Sequence, residues 1–192
     1  MEELIREKSY TYEDLLSWDD GNRYELYDGI LVVMESPSDT HQAISMELAR
    51  QLANFLVGKK CKAFSAPFDV RLFEKPGDSP EDVDTVVQPD LMVVCDQSKL
   101  DRHGIYGAPD LVVEIISPST QRYDRLVKLD LYQRAGVQEY WIVDPLYRSV
   151  QVLTLTGGQL LPKEVYGRTG IARVNVLEGC FIDLSTVFPT NP

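Results

Sequence analysis

The chain has 192 residues, 44% of them hydrophobic and 26% charged, and a formal net charge of −11. That length suits one domain with a full interior, and the composition excludes a disordered or fibrous chain. The charge argues against wholesale binding to a polyanion, which depends on lysines and arginines displacing counterions, but leaves room for a local basic face from Arg122, Arg125, Lys128 and Arg134.

Residues 1–10 carry Glu2, Glu3, Arg6, Glu7 and Lys8 without an apolar run, and no stretch reaches the ~18 apolar residues of a spanning helix, so a soluble, cytoplasmic protein with no membrane partner is expected. Residues 11–18 read as a short peripheral helix capped by Thr11 or Ser9. In residues 24–34 two apolar-rich runs flank Asp28-Gly29, a strong signal for a tight hairpin. Ile44, Leu48, Leu52 and Phe55 recur at helical spacing and predict a long helix over residues 38–56. Strands are expected at 61–65, 69–73, 91–95 and 111–116, with a Pro-, Gly- and Asp-rich loop over 74–83. A second helix over 121–135 should be capped by Ser119 or Thr120 and stopped by Gly136, with Leu126, Val127, Leu131 and Tyr132 facing inward. A buried strand at 139–144 follows, then 150–155 paired onto it or beside it, and edge strands at 171–177 and 181–187. The order predicts an α/β fold with a mixed central sheet flanked by helices. It forms one domain over 1–192, with a peripheral helix in 1–20 and extra edge strands in 156–192. Cys61, Cys95 and Cys180 are odd in number and widely spaced, which predicts buried thiols rather than a disulfide framework or a zinc site.

The chemistry concentrates in two parallel phrases, Pro89-Asp90-Leu91-Met92-Val93-Val94 and Pro109-Asp110-Leu111-Val112-Val113-Glu114-Ile115-Ile116. If the two strands form an antiparallel hairpin, Asp90 faces the Glu114 end. Asp110 shares a face with Glu114 but stands ~13 Å along the strand, too far for one shared ion. Glu114 interrupts an apolar strand, and a buried carboxylate is costly without a partner. That partner is either a cation held jointly with Asp90 or an arginine such as Arg122 or Arg125. His41 and His103 are not spaced as metal ligands with any Cys or His.

At these residues the sequence resembles the PD-(D/E)XK nuclease superfamily, and more closely its Uma-type restriction-endonuclease-like family. The further phrases that carry the resemblance are Tyr24-Glu25-Leu26-Tyr27-Asp28-Gly29, Gln88-Pro89-Asp90-Leu91, Ser117-Pro118-Ser119-Thr120 and Gly136-Val137-Gln138-Glu139-Tyr140-Trp141-Ile142-Val143-Asp144-Pro145. The resemblance implies a restriction-endonuclease-like core. It also implies that Asp90, Glu114 and the Ile115 carbonyl hold Mg²⁺, with Mn²⁺ as an alternative, for hydrolysis of nucleic-acid phosphodiesters, first of all DNA. The motif's lysine is missing, because Ile116 stands where it belongs, and Lys128 on the following helix is the matching replacement. Lys128 has a plainer reading as a surface pair with Asp124. Glu25 is either a further acid of the site or an exposed strand residue, and His41 either lines the site or caps its helix. The competing function is a nuclease-fold module that binds without cleaving. An unrelated α/β hydrolase is disfavoured, since there is no Gly-x-Ser-x-Gly elbow and there are only two histidines. A homodimer is expected from base rates.

Overall fold

The computed structural model describes residues 9–118 and 120–189, so residues 1–8 and the proposed cap Ser119 lie outside the described residues. In chain order the elements are α1 Tyr12–Ser17, β1 Arg23–Tyr27, β2 Ile30–Met34, α2 Asp39–Leu56, β3 Lys62–Ser65, β4 Val70–Arg71, β5 Val86–Val87, β6 Leu91–Val94, β7 Leu100–Asp101, β8 Gly104–Tyr106, β9 Leu111–Ile115, α3 Lys128–Ala135, β10 Glu139–Asp144, β11 Ser149–Thr156, β12 Gln159–Gly167, β13 Ile171–Arg173 and β14 Phe181–Asp183. Local chemistry sets several of these limits. Asp28 and Gly29, at φ 49° and 80°, close the β1–β2 hairpin in the mirror-image turn that matches strand twist. The Ser38 hydroxyl accepts the His41 N–H at 3.2 Å and starts α2. Gly136, left-handed at φ 87°, ends α3.

The main sheet runs β12-β11-β10-β9-β6-β3, and only β9 and β10 pair in parallel. A second sheet runs β2-β1-β5-β4-β8-β7. One face of the main sheet, with Val93, Val113, Ile115 and Val143, packs on Ile44, Leu48 and Leu52 of α2. On the other face Met92, Val112 and Ile142 meet Leu131 and Tyr132 of α3 and Val70 and Val87 of the second sheet. Because side chains alternate along a strand, Glu114 falls on this second face, between the main sheet, α3 and β1.

The structure corrects several sequence expectations. Cys61 and Cys95 form a disulfide: β3 and β6 pair with Lys62 opposite Val94, so the next residues outward, Cys61 and Cys95, meet whatever their 34-residue separation. Cys180 alone is a free buried thiol among the described residues. β13 and β14 do not extend the main sheet. They form their own ribbon, which adds Ala172 and Ile182 to the α2 side of the core. One edge of the main sheet is β12, which falls within the 156–192 span expected to hold edge strands although its own limits were not read; Pro162 is tolerated there at the irregularity in its pairing with β11, since an edge strand has one side open to solvent. The helix over 121–135 contains a π-helical segment, Tyr123–Val127, and this wider turn leaves Leu126 63% exposed rather than inward, while Leu131 and Tyr132 are buried.

The disulfide closes a long loop that contains β3, β4, β5 and β6. Reduction, or Cys95→Ser, should lower stability by about 4 kcal/mol on the chain-entropy account. Urea unfolding with and without a dithiol reductant measures this, and coincident curves would refute it.

Candidate active site

Asp90 lies one residue beyond the Leu91–Val113 pair of β6 and β9, so it stands opposite Glu114. Its Oδ2 accepts the Ile115 N–H at 2.8 Å and lies 3.0 Å from His41 Nε2, which ties the start of α2 to the strand ends. Asp110, at the far end of β9, accepts the Cys95 N–H at 2.7 Å and serves the ladder there. His103 lies away from this group, exposed in the β7–β8 turn against the edge of Tyr12.

Glu114 is 3% exposed and its partner is neither candidate arginine. Arg125 reaches Asp144 at 3.1 Å and Gln151 at 3.3 Å instead. Lys128, 5% exposed, places its Nζ 2.9 Å from Glu114, 3.1 Å from Glu25 and 3.7 Å from Asp124. The alternative reading of Lys128 and Asp124 as a surface pair fails, since the pair is interior and Asp124 is 3% exposed. Glu25, at 2% exposure, is interior as well. Each carboxylate also has a neutral donor that fixes its direction. Tyr132 donates to Glu114 Oε1 at 2.5 Å, and Tyr27 donates to one oxygen of Glu25 while the Gln88 N–H donates to the other at 2.7 Å. Gln88, Tyr27 and Tyr132 were not given a place in the site by the sequence, and Asp124 entered there only as a candidate surface partner of Lys128. The one available signal was the spacing of 124, 128 and 132, four apart, which sets a polar stripe on a helix face otherwise taken as apolar.

The electrostatics follow from burial. Removal from water pushes the Glu114 carboxyl well above its ordinary range; the Lys128 ammonium opposes that push, while Asp124, Asp90 and Glu25 add to it. Asp124 is raised for the same first reason, again opposed by Lys128. For Lys128 burial would lower the pKa, but Glu114 and Glu25 outweigh it and the ammonium is held charged. The basic stretch seen in the sequence is thus divided: Lys128 is interior, Arg125 faces Asp144, and Arg134 pairs with Asp28 and Asp130 at 2.8 and 2.9 Å.

Residues 11–185 match the model of the Uma2 family, whose description is "Putative restriction endonuclease". The chain belongs to this family. A curated relative, an uncharacterized protein of Synechocystis, is 30% identical over 134 residues. That match covers 68% of this chain and 66% of the relative, just under two thirds of its length. Among solved structures, one titled as a putative nuclease belonging to DUF820 from Anabaena variabilis superposes with a TM-score of 0.72 at 19% identity. It covers 93% of this chain and 97% of the other, a likeness that speaks to the fold. Among the described residues, no helix is long and apolar enough to cross a membrane.

Removing the ammonium should strand three carboxylates in the interior, so Lys128→Met should cost about 3–5 kcal/mol, not the under ~1 kcal/mol of a surface pair. In that variant Glu114 and Asp124 keep the upward push of burial. A carboxyl whose folded pKa lies above its unfolded value binds its proton more tightly when folded, so the deficit should shrink as pH falls from neutrality toward the ordinary carboxylate range. Denaturation curves at several pH values measure both, and a small deficit that ignores pH would contradict the interior ion cluster.

Proposed function

We propose that this protein is a divalent-metal-dependent nuclease that hydrolyses nucleic-acid phosphodiesters, with DNA as the first substrate to test and Asp90, Glu114 and Lys128 as its catalytic residues. The observation that carries this reading is a charge deficit. With all groups ionised, Glu25, Glu114 and Asp124 around the single Lys128 ammonium leave two negative charges uncompensated in the interior, with Asp90 beside them. A buried deficit of that size is met either by protons on Glu114 and Asp124, whose pKa values burial raises, or by a cation that takes their place, and a bound cation is the reading proposed.

The donors suit a hard divalent ion such as Mg²⁺ or Mn²⁺. Among the described residues, no hydrogen bond engages Oδ1 of Asp90 or Oε2 of Glu114, so each carboxylate keeps one oxygen for a ligand while the other fixes its direction. Also among them, no three His, Cys, Asp or Glu side chains form a metal cluster by themselves. Asp90 and Glu114 would therefore be joined by the Ile115 carbonyl and by water, as is usual for Mg²⁺. Such an ion, when bound, supplies Lewis-acid polarisation of a phosphodiester oxygen. Lys128 contributes a fixed positive charge beside the developing phosphate charge, in the role the motif gives to the position that Ile116 occupies here. Tyr132 and Tyr27 hold the Glu114 and Glu25 carboxylates in place. His41 keeps the Asp90 carboxylate at the strand ends.

Cleavage of supercoiled and single-stranded DNA should require Mg²⁺ or Mn²⁺ and should disappear in Asp90→Ala and Glu114→Gln. Lys128→Met, assayed where circular dichroism shows it folded, should lose about 10²- to 10³-fold in rate. Mg²⁺ should also raise the melting temperature of the wild type but not of Asp90→Ala. Nucleic-acid binding without cleavage under any of these metals would favour the module that binds only, the reading to which Ile116 points.

A further inference from the structure

The turn between β10 and β11 carries two of the most exposed large apolar side chains of the described residues, Leu146 at 81% and Tyr147 at 77%. The turn itself is well held. Asp144 Oδ1 accepts the Leu146 and Tyr147 N–H groups at 3.0 and 3.1 Å, and its Oδ2 accepts from Arg125 at 3.1 Å. One carboxylate thus holds both the backbone of the turn that carries Tyr147 and the Arg125 guanidinium. The turn is also continuous with the candidate site. Ile142 is the register partner of Glu114, and Asp144 is two residues further, ~7 Å along the strand. Ile116 N–H donates to the Val143 carbonyl, closing the ladder at this end. The turn therefore leaves the sheet from the end of β10, next to the end of β9 that carries Glu114 and Ile115.

We propose that Tyr147 is a stacking platform for an unpaired base of the nucleic-acid strand bound at this site, with Arg125 facing the adjoining phosphate. The proposal rests on the nuclease reading and adds the substrate class, a single strand or a locally opened duplex. Two properties of the surface argue for it. A single exposed aromatic ring stacks on any base, because every base has a π-face, which suits a strand held without sequence readout. And in a chain with a net charge of −11, the guanidinium of Arg125 stands at this rim, with Arg122 exposed one turn earlier. Arg125 spends one nitrogen on Asp144 and one on Gln151, and a guanidinium has five N–H donors, so it retains donors for a phosphate oxygen.

The test uses a single-stranded oligonucleotide carrying 2-aminopurine, mixed with the full chain in EDTA so that binding is read without cleavage. Wild-type protein should quench the fluorophore, and Tyr147→Ala should lose the quench and bind about five- to a hundredfold more weakly. Tyr147→Phe should retain both, because the ring and not the hydroxyl does the stacking. Equal binding and quenching by wild type and Tyr147→Ala would overturn the proposal. Cleavage of duplex DNA by a wild type that does not bind the oligonucleotide would overturn it too, while leaving the nuclease reading intact. A wild type that neither binds nor cleaves nucleic acid would remove that reading and this proposal with it. A change in sedimentation with unchanged oligonucleotide binding would assign the turn to protein contact and overturn it as well.

Discussion

One buried ammonium group governs much of this structure. Lys128 Nζ lies within 4 Å of carboxylates from three separate elements, namely Glu25 on β1, Glu114 on β9 and Asp124 on the wide helical turn. None of these can withdraw without leaving a buried charge unpaired, a loss larger than that of most single apolar contacts. The second sheet, the main sheet and the helix are consequently fastened at one point. The hydroxyls of Tyr27 and Tyr132 and the Gln88 N–H then fix which way the carboxylates face.

The π-helical segment over Tyr123–Val127 belongs to the same constraint. On an ideal α-helix positions 124, 128 and 132 drift around the axis by about 80° in total, at 3.6 residues per turn. A turn with more residues per revolution takes up part of that drift, so Asp124, Lys128 and Tyr132 keep to one stripe facing β9. The cost appears at Leu126, which the same turn rolls out toward solvent. π-turns of this kind recur at functional sites, and here the reason is visible in the three groups it aligns.

Much of the fold was legible in the sequence wherever one local rule decided the matter. The Asp28-Gly29 turn, the apolar face of α2, the Gly136 stop and the antiparallel meeting of the two Pro-Asp strands all follow from short-range chemistry. The opposition of Asp90 and Glu114 was legible for the same reason, since it needs only a hairpin register. What could not be read depends on three-dimensional neighbours. Cys61 and Cys95 meet because two strands pair across a long loop. Asp124 and Glu25 are interior because a helix and a second sheet close over them, which no periodicity within either segment announces. The net charge misleads in a similar way: formal charge counts Glu25, Glu114, Asp124 and Lys128 as surface groups, whereas the fold removes all four from water.

Ile116 can be understood from the same geometry. It lies two residues after Glu114 on the same face of the strand, 5% exposed, and packs with Leu131, Tyr140 and Ile142. A lysine there would have to bury its stem among apolar side chains and bring a second ammonium to carboxylates that Lys128 already meets. Approach from the helix has a different consequence. A strand lysine at 116 would be tied to one strand, whereas Lys128 also pairs with Glu25 on β1 and Asp124 on its own helix, so its position is set by the packing of three elements. With the positive charge on the helix, the geometry of the candidate site is a property of the tertiary structure, set by the same contacts that hold the two sheets and the helix together.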